Sequence, residues 1–83
     1  MEPQLKEQLE EGTRMAFSQY RERHPNLAGY LEKHCSDIIS STVESIENDP
    51  EVLAAITSAK AENKLQKIIE AAAQYLPKII GIL

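Results

Sequence analysis

The residue types able to do chemistry are few in this chain, and most of them gather in one stretch. His24, His34, Cys35 and Asp37 are the one group of metal-ligating types close together in sequence. A zinc site needs three or four converging ligands. His34 and Asp37, three residues apart, can share a helix face, but Cys35 is turned about 100° from His34. His24 lies about 15 Å of helix rise from His34. No Glu-x-x-His occurs, so nothing points to the carboxylate-bridged metal centre of some helical bundles. Nucleophilic chemistry fares no better. Ser41 stands two helical turns from His34, about 10 Å. Asp37 lies between them, where a triad needs the histidine in the middle. Cys35 has Lys33 and His34 as sequence neighbours, yet neither shares its face, so no basic group is set beside the thiol to make it a nucleophile. Ser40, Ser41, Thr42 and Ser45 read as a hydroxyl-rich helix face. Glu7, Glu10 and Glu11 read as a solvated one. There is no Gly-rich loop to cradle phosphates. The expectation is a non-enzymatic protein with no catalytic residue, no cofactor and no metal.

Charge and cysteine content narrow the partners. The 83 residues carry 9 Lys+Arg against 13 Asp+Glu, a net charge of −4. Nucleic-acid affinity rests on a basic surface that neutralises phosphates. Arg14, Arg21 and Arg23 make too small a basic strip to supply one, so no nucleic acid is expected. One cysteine excludes an intramolecular disulfide framework. The start, Met1-Glu2-Pro3-Gln4, lacks the basic and then apolar run of a signal peptide. No stretch approaches the ~20 apolar residues that span a bilayer. These features together predict a reduced, cytoplasmic protein.

Helical periodicity supplies the elements that would position any site. A first helix is expected over about Pro3–Arg23. Its stripe is Leu5, Leu9, Ala16 and Tyr20, with Gly12 and Thr13 on the same side and Phe17 at the edge. Gly12 costs a helix about 1 kcal/mol relative to Ala, so it reads as a point of close packing. His24-Pro25-Asn26 ends that helix, with Asn26 as cap of a second helix over about Leu27–Glu47. The stripe there is Leu27, Leu31, His34, Cys35, Ile38, Thr42 and Ile46. Asn48-Asp49-Pro50-Glu51 gives the clearest helix start in the chain: Asp49 as N-cap, Pro50 at N1, Glu51 at the positive end of the dipole.

From Pro50 to Tyr75 there is no Gly or Pro, yet the hydrophobic phase reverses. Val52, Ile56 and Ala59 lie on one side of the wheel. Leu65, Ile68, Ile69, Ala72, Leu76, Ile79, Ile80 and Leu83 lie roughly opposite. Two structures reconcile this. Either the chain breaks near Ala61-Glu62-Asn63, with Asn63 as cap, or one long helix packs its far end on a different chain. Pro77 is expected to kink or end the last helix near Leu76, with one short turn beyond. No strand-period segment or repeat appears. The fold class is all-α: one domain over 1–83, a small bundle of three to four helices with short links, expected to be oligomeric. The acidic stretch 24–49, net −4, and the basic stretch 64–83, net +2, are placed to lie side by side.

The last stripe carries the functional expectation. Each of its larger side chains gains about 1.5–3 kcal/mol on burial, so the whole face left in water would exceed a domain's net stability. Its cover is the chain's own bundle, a second copy, another protein or lipid. For so small a chain the reading is a protein–protein interaction or oligomerisation module, an adaptor or regulatory subunit. Its interface would be Leu65, Ile68, Ile69, Ala72, Leu76, Ile79, Ile80 and Leu83. The first partner expected is a second copy, then another protein. The alternative is a peripheral membrane protein anchored by residues 65–83, with Lys64, Lys67 and Lys78 at the headgroups. A third reading places a small ligand among Tyr20, His34 and Tyr75.

Overall fold

The computed structural model describes residues 3–82. They form α1 (Pro3–Arg23), a 3₁₀ turn (Pro25–Leu27), α2 (Ala28–Lys33), α3 (Cys35–Glu47), α4 (Pro50–Ser58) and α5 (Ala61–Ile82), with no strand among the described residues. The fold is all-α, but with five helices where three to four were expected.

Two interruptions make the difference. The second expected helix divides at His34, whose backbone sits at φ −105°, ψ 13°. The i→i−4 bonds nonetheless continue through it: His34 N–H donates to Tyr30 O at 3.1 Å and Ile38 N–H to His34 O at 2.9 Å. The apolar phase therefore hardly changes, and the sequence pattern joins α2 to α3. Asn26 lies inside the 3₁₀ turn instead of capping a helix. The second interruption decides between the two explanations of the phase reversal. Ala59 is extended, at ψ 150°, and the chain re-enters a helix at Ala61. The break lies just ahead of the expected place. Asn63 is in the first turn of α5, its N–H donating to Lys60 O at 2.8 Å, and does not act as the cap. Starting at Ala61 also puts Glu62 in the first turn, where a carboxylate favours the positive end of the dipole.

Pro77 neither ends α5 nor leaves a short separate turn; the helix runs through it to Ile82. Pro77 and Ala73 are both exposed. The carbonyl that loses its donor, that of Ala73, can therefore be hydrated, which lowers the usual cost of an interior proline.

At 1.5 Å per residue, α1 and α5 are each a little over 30 Å long. The molecule measures 36 × 22 × 20 Å, so both lie along its long axis. Gln4, Leu5 and Gln8 share a cleft with Ala61 and Lys64, and Gly12 meets Leu65 and Ile68. The two registers advance together, so α1 and α5 run parallel. Gly12 is the close approach the sequence suggested. A methyl group there would lie 2.9 Å from Ile68 Cβ and nearer still to its Cγ2.

Helix α3 packs on both α1 and α5, and α4 on α3 and α5. Leu9, Leu31, Ile38, Ile46, Ile56, Ile68 and Leu76 are fully enclosed. Thr13 and Thr42 are buried among them. The Thr42 hydroxyl donates to Ile38 O at 2.7 Å. Thr13 Oγ1 has no hydrogen-bond partner.

Candidate functional site

The C-terminal stripe is enclosed by its own chain. Ile68, Ala72 and Leu76 have no exposed surface, and Ile69 and Ile79 keep only 8%. Leu65 and Ile80 are half-buried against the same core, and Leu83 lies outside the described residues. α1, α3 and α4 supply the cover. Ala71, which the pattern left off the stripe, is buried too. In the single chain these residues are core. No described helix is long and apolar enough to cross a membrane.

The side chains with reactive types do not come together. His24 Nδ1 lies 2.9 Å from Tyr20 O, and its ring stacks on Tyr20 with centroids 4.1 Å apart. The His34 ring rests against Tyr30. Cys35 is half-buried beside the core and Asp37 is exposed. Among the described residues no three His, Cys, Asp or Glu side chains converge. Tyr20, His34 and Tyr75 are each engaged separately and form no common pocket wall.

One polar contact was not foreseen. Asp49 caps α4 as the sequence indicated, its Oδ1 accepting from Val52 N–H at 3.3 Å. Its Oδ2 also accepts from the Tyr75 hydroxyl at 2.5 Å. This clamp ties the start of α4 to α5. The Tyr75 hydrogen bond, followed by the Val52 amide, holds the Asp49 carboxyl below its ordinary value. The same bond, with desolvation, raises the Tyr75 phenol. Ser41, Ser45 and Asn48 line the shallow hollow beside the clamp.

A cleft of about 760 Å³ lies between α1 and α3. One wall is Lys6, Glu10 and Arg14, spaced four apart along α1. The other carries Glu32, Lys33, Ser36, Ser40, Glu44 and Glu47, and Cys35, Ile39 and Val43 form the floor. Ile38 and Thr42 are fully enclosed, and Ile39 and Val43, one step around α3, close the bottom of the cleft while remaining part of the core. The α1 wall is net positive and the α3 wall net negative. Among the described residues the one ion pair is Arg21–Glu32, at 3.2 Å between exposed side chains. The acidic stretch does lie beside α5, but no ion pair joins the two among the described residues. Lys6, Glu10, Arg14, Glu44 and Glu47 thus face the cleft with no ionic partner among the described residues.

A second cleft, of about 710 Å³, separates the start of α1 from α4 and the start of α5, with Leu5 and Leu53 in its wall. Periodic charges at 6, 10 and 14 and small or acidic residues at 36, 40, 44 and 47 were the available signals for the first groove. They became a site only once the two helices were placed together. Comparison of the chain with protein-family models, with curated proteins and with solved structures finds no match.

Proposed function

We propose that this protein is a non-enzymatic helical interaction module, an adaptor or regulatory subunit of the cytoplasm, that engages another polypeptide along the α1–α3 groove. The observation that carries this reading is the groove itself: two charged walls of opposite net sign in which Lys6, Glu10, Arg14, Glu44 and Glu47 have no ionic partner among the described residues. Charged rims of this kind orient a partner and select it by sign. Ser36 and Ser40 keep one wall low, so a helix or extended segment has room to lie between the walls. The membrane alternative would need α5 to leave the bundle, because its apolar face already serves the core.

The test uses a display library of random dodecapeptides selected on the whole protein. Bound peptides should shift the amide resonances of α1 and α3 around Glu10, Arg14, Ser36 and Ser40. Ser40→Arg, at an exposed position, should abolish binding while leaving the circular dichroism of the fold intact. Selected peptides that perturb only other surfaces, or that bind Ser40→Arg as well as the parent, would overturn the assignment.

A further inference from the structure

We infer that α4 is a hinged cover on α5: it lifts away as a unit while α1, α2, α3 and α5 stay packed, and lifting bares a face of α5 that is hidden in the closed chain. This device is separate from the α1–α3 groove and does not depend on it.

The cover is lightly held. α1 and α3 each enclose five residues and α5 six, whereas α4 encloses Ile56 alone. Val52 and Leu53 are half-buried beside it. Segments with few enclosed apolar contacts open locally, at a free energy well below that of global unfolding. α2 also encloses a single residue, Leu31, but its hydrogen-bond ladder continues through His34 into α3, so those two helices move together. α4 instead has a joint at each end. Asp49 is extended at φ −108°, ψ 98°, and Ala59 at φ −69°, ψ 150°. At the second joint the ladder stops: Ala59 N–H closes back on Ile56 O at 3.2 Å, and Asn63 N–H begins the next helix on Lys60 O at 2.8 Å.

The two ends of α4 show what it covers. Leu53 and Thr57 share a cleft with Ala61 and Lys64 at the start of α5. Asp49 accepts a hydrogen bond from Tyr75, four turns further along. α4 therefore runs antiparallel along α5. Positions 61, 64, 68, 71 and 75 advance by threes and fours and share one helix face. Ala71 stands on that face, which accounts for its burial although periodicity leaves it off the stripe. The Tyr75–Asp49 bond latches the first end of α4 to α5, and Ile56 anchors the middle. Breaking one hydrogen bond and withdrawing chiefly one side chain releases the cover.

The test is native-state hydrogen exchange of the whole chain by NMR, in urea below the unfolding transition and where exchange reports the opening equilibrium. The amides of residues 53–58 should share one protection factor, at least about tenfold below that of the slowest amides of α1 and α5. They should also share one shallow urea dependence, because little surface is exposed. Tyr75→Phe removes a bond made only when α4 is closed, so α4 protection should fall severalfold. Gly12→Ala strains the α1–α5 seam, which stays formed when α4 lifts. It should lower protection in the α1 and α5 cores and leave that of α4 unchanged. Ala71→Cys in a Cys35→Ser background reads the bared face: its thiol should be labelled through the α4 opening, and faster when Tyr75→Phe is added. Amides of α4 that exchange one by one, or only with the core and its steep urea dependence, overturn the inference. So does α4 protection unmoved by Tyr75→Phe or lowered by Gly12→Ala as far as the core, or a thiol at position 71 that reacts no faster than the core opens.

Discussion

Gly12→Ala is the sharpest probe of the α1–α5 seam. In an ordinary helix interior this substitution gains about 1 kcal/mol from helix propensity and reduced chain entropy. Here the added methyl would meet Ile68 Cβ at 2.9 Å, and Ile68 Cγ2 more closely. Carbon atoms rest about 3.5–4.0 Å apart. A change of Ile68 rotamer moves Cγ2 but not Cβ, so the helices themselves must separate by about 1 Å. A gap of that size forfeits up to about half of the dispersion energy along the lining. Overpacking of this kind costs roughly 1–3 kcal/mol, and rigid backbone on both sides places it at the upper end. Subtracting the propensity gain leaves a net loss of about 1–2 kcal/mol. For a domain this small that lowers the melting temperature by roughly 5–15 °C. Gly29→Ala supplies the internal control. Gly29 is in α2 and a methyl there meets nothing within 4 Å, so the same chemical change should stabilise by up to about 1 kcal/mol. Urea and thermal unfolding of the two variants measure the contrast. A Gly12→Ala protein as stable as its parent, or stabilised in parallel with Gly29→Ala, would refute the close-packed seam.

Two further expectations follow from buried and half-buried polar groups. Thr13→Val keeps the side-chain shape and removes a fully buried hydroxyl that has no partner; relief of that desolvation should raise stability by about 1–2 kcal/mol in urea titration, and a loss would mean the hydroxyl is satisfied. The Asp49–Tyr75 clamp should bracket the pH range of full stability. Asp49, lowered on folding from 3.8, contributes stability above that value, lost as pH falls through the depressed one. Tyr75, raised from 10.0, contributes below pH 10, lost as pH rises through the raised value. In urea midpoints across pH, Tyr75→Phe should remove its own alkaline loss and only shrink the acid one, because the Val52 amide still holds Asp49. An unaltered alkaline limb in Tyr75→Phe would show that the clamp is not the cause.

The elements visible in the sequence were those whose signals are local. Asp49-Pro50 marked the start of α4, and the phase reversal between Ile56 and Leu65 required a break or a second chain. Gly12 on an apolar stripe marked a close approach. The division at His34 left no trace, because its hydrogen bonds and the stripe's phase carry through. Asn63, a good capping residue, points to a break later than the actual one at Ala59–Lys60, because the fold does not use every capping residue the sequence offers. The missing N–H of Pro77 is legible in the sequence, whereas the exposure of Ala73, which lowers its cost, is not. The groove and the fate of the C-terminal stripe were beyond periodicity for one reason. A wheel shows which face of a helix must be covered, while the neighbour that covers it depends on how the other helices are arranged. That arrangement put α1 beside α5 and opened the space between α1 and α3.

The parallel pairing of α1 with α5 also governs how the chain must fold. In an up-and-down bundle each helix closes on the next through a short loop. Here the tightest seam joins Gly12 to Ile68, with 55 residues of chain between them. Closing a loop of that length costs on the order of 4 kcal/mol in chain entropy before any contact repays it. Helices α2 to α4 must therefore be gathered first or at the same moment, to bring the two long helices within reach. Collapse is set by the most distant partners in the chain, so this small helical protein should fold more slowly than its length and helix content alone suggest.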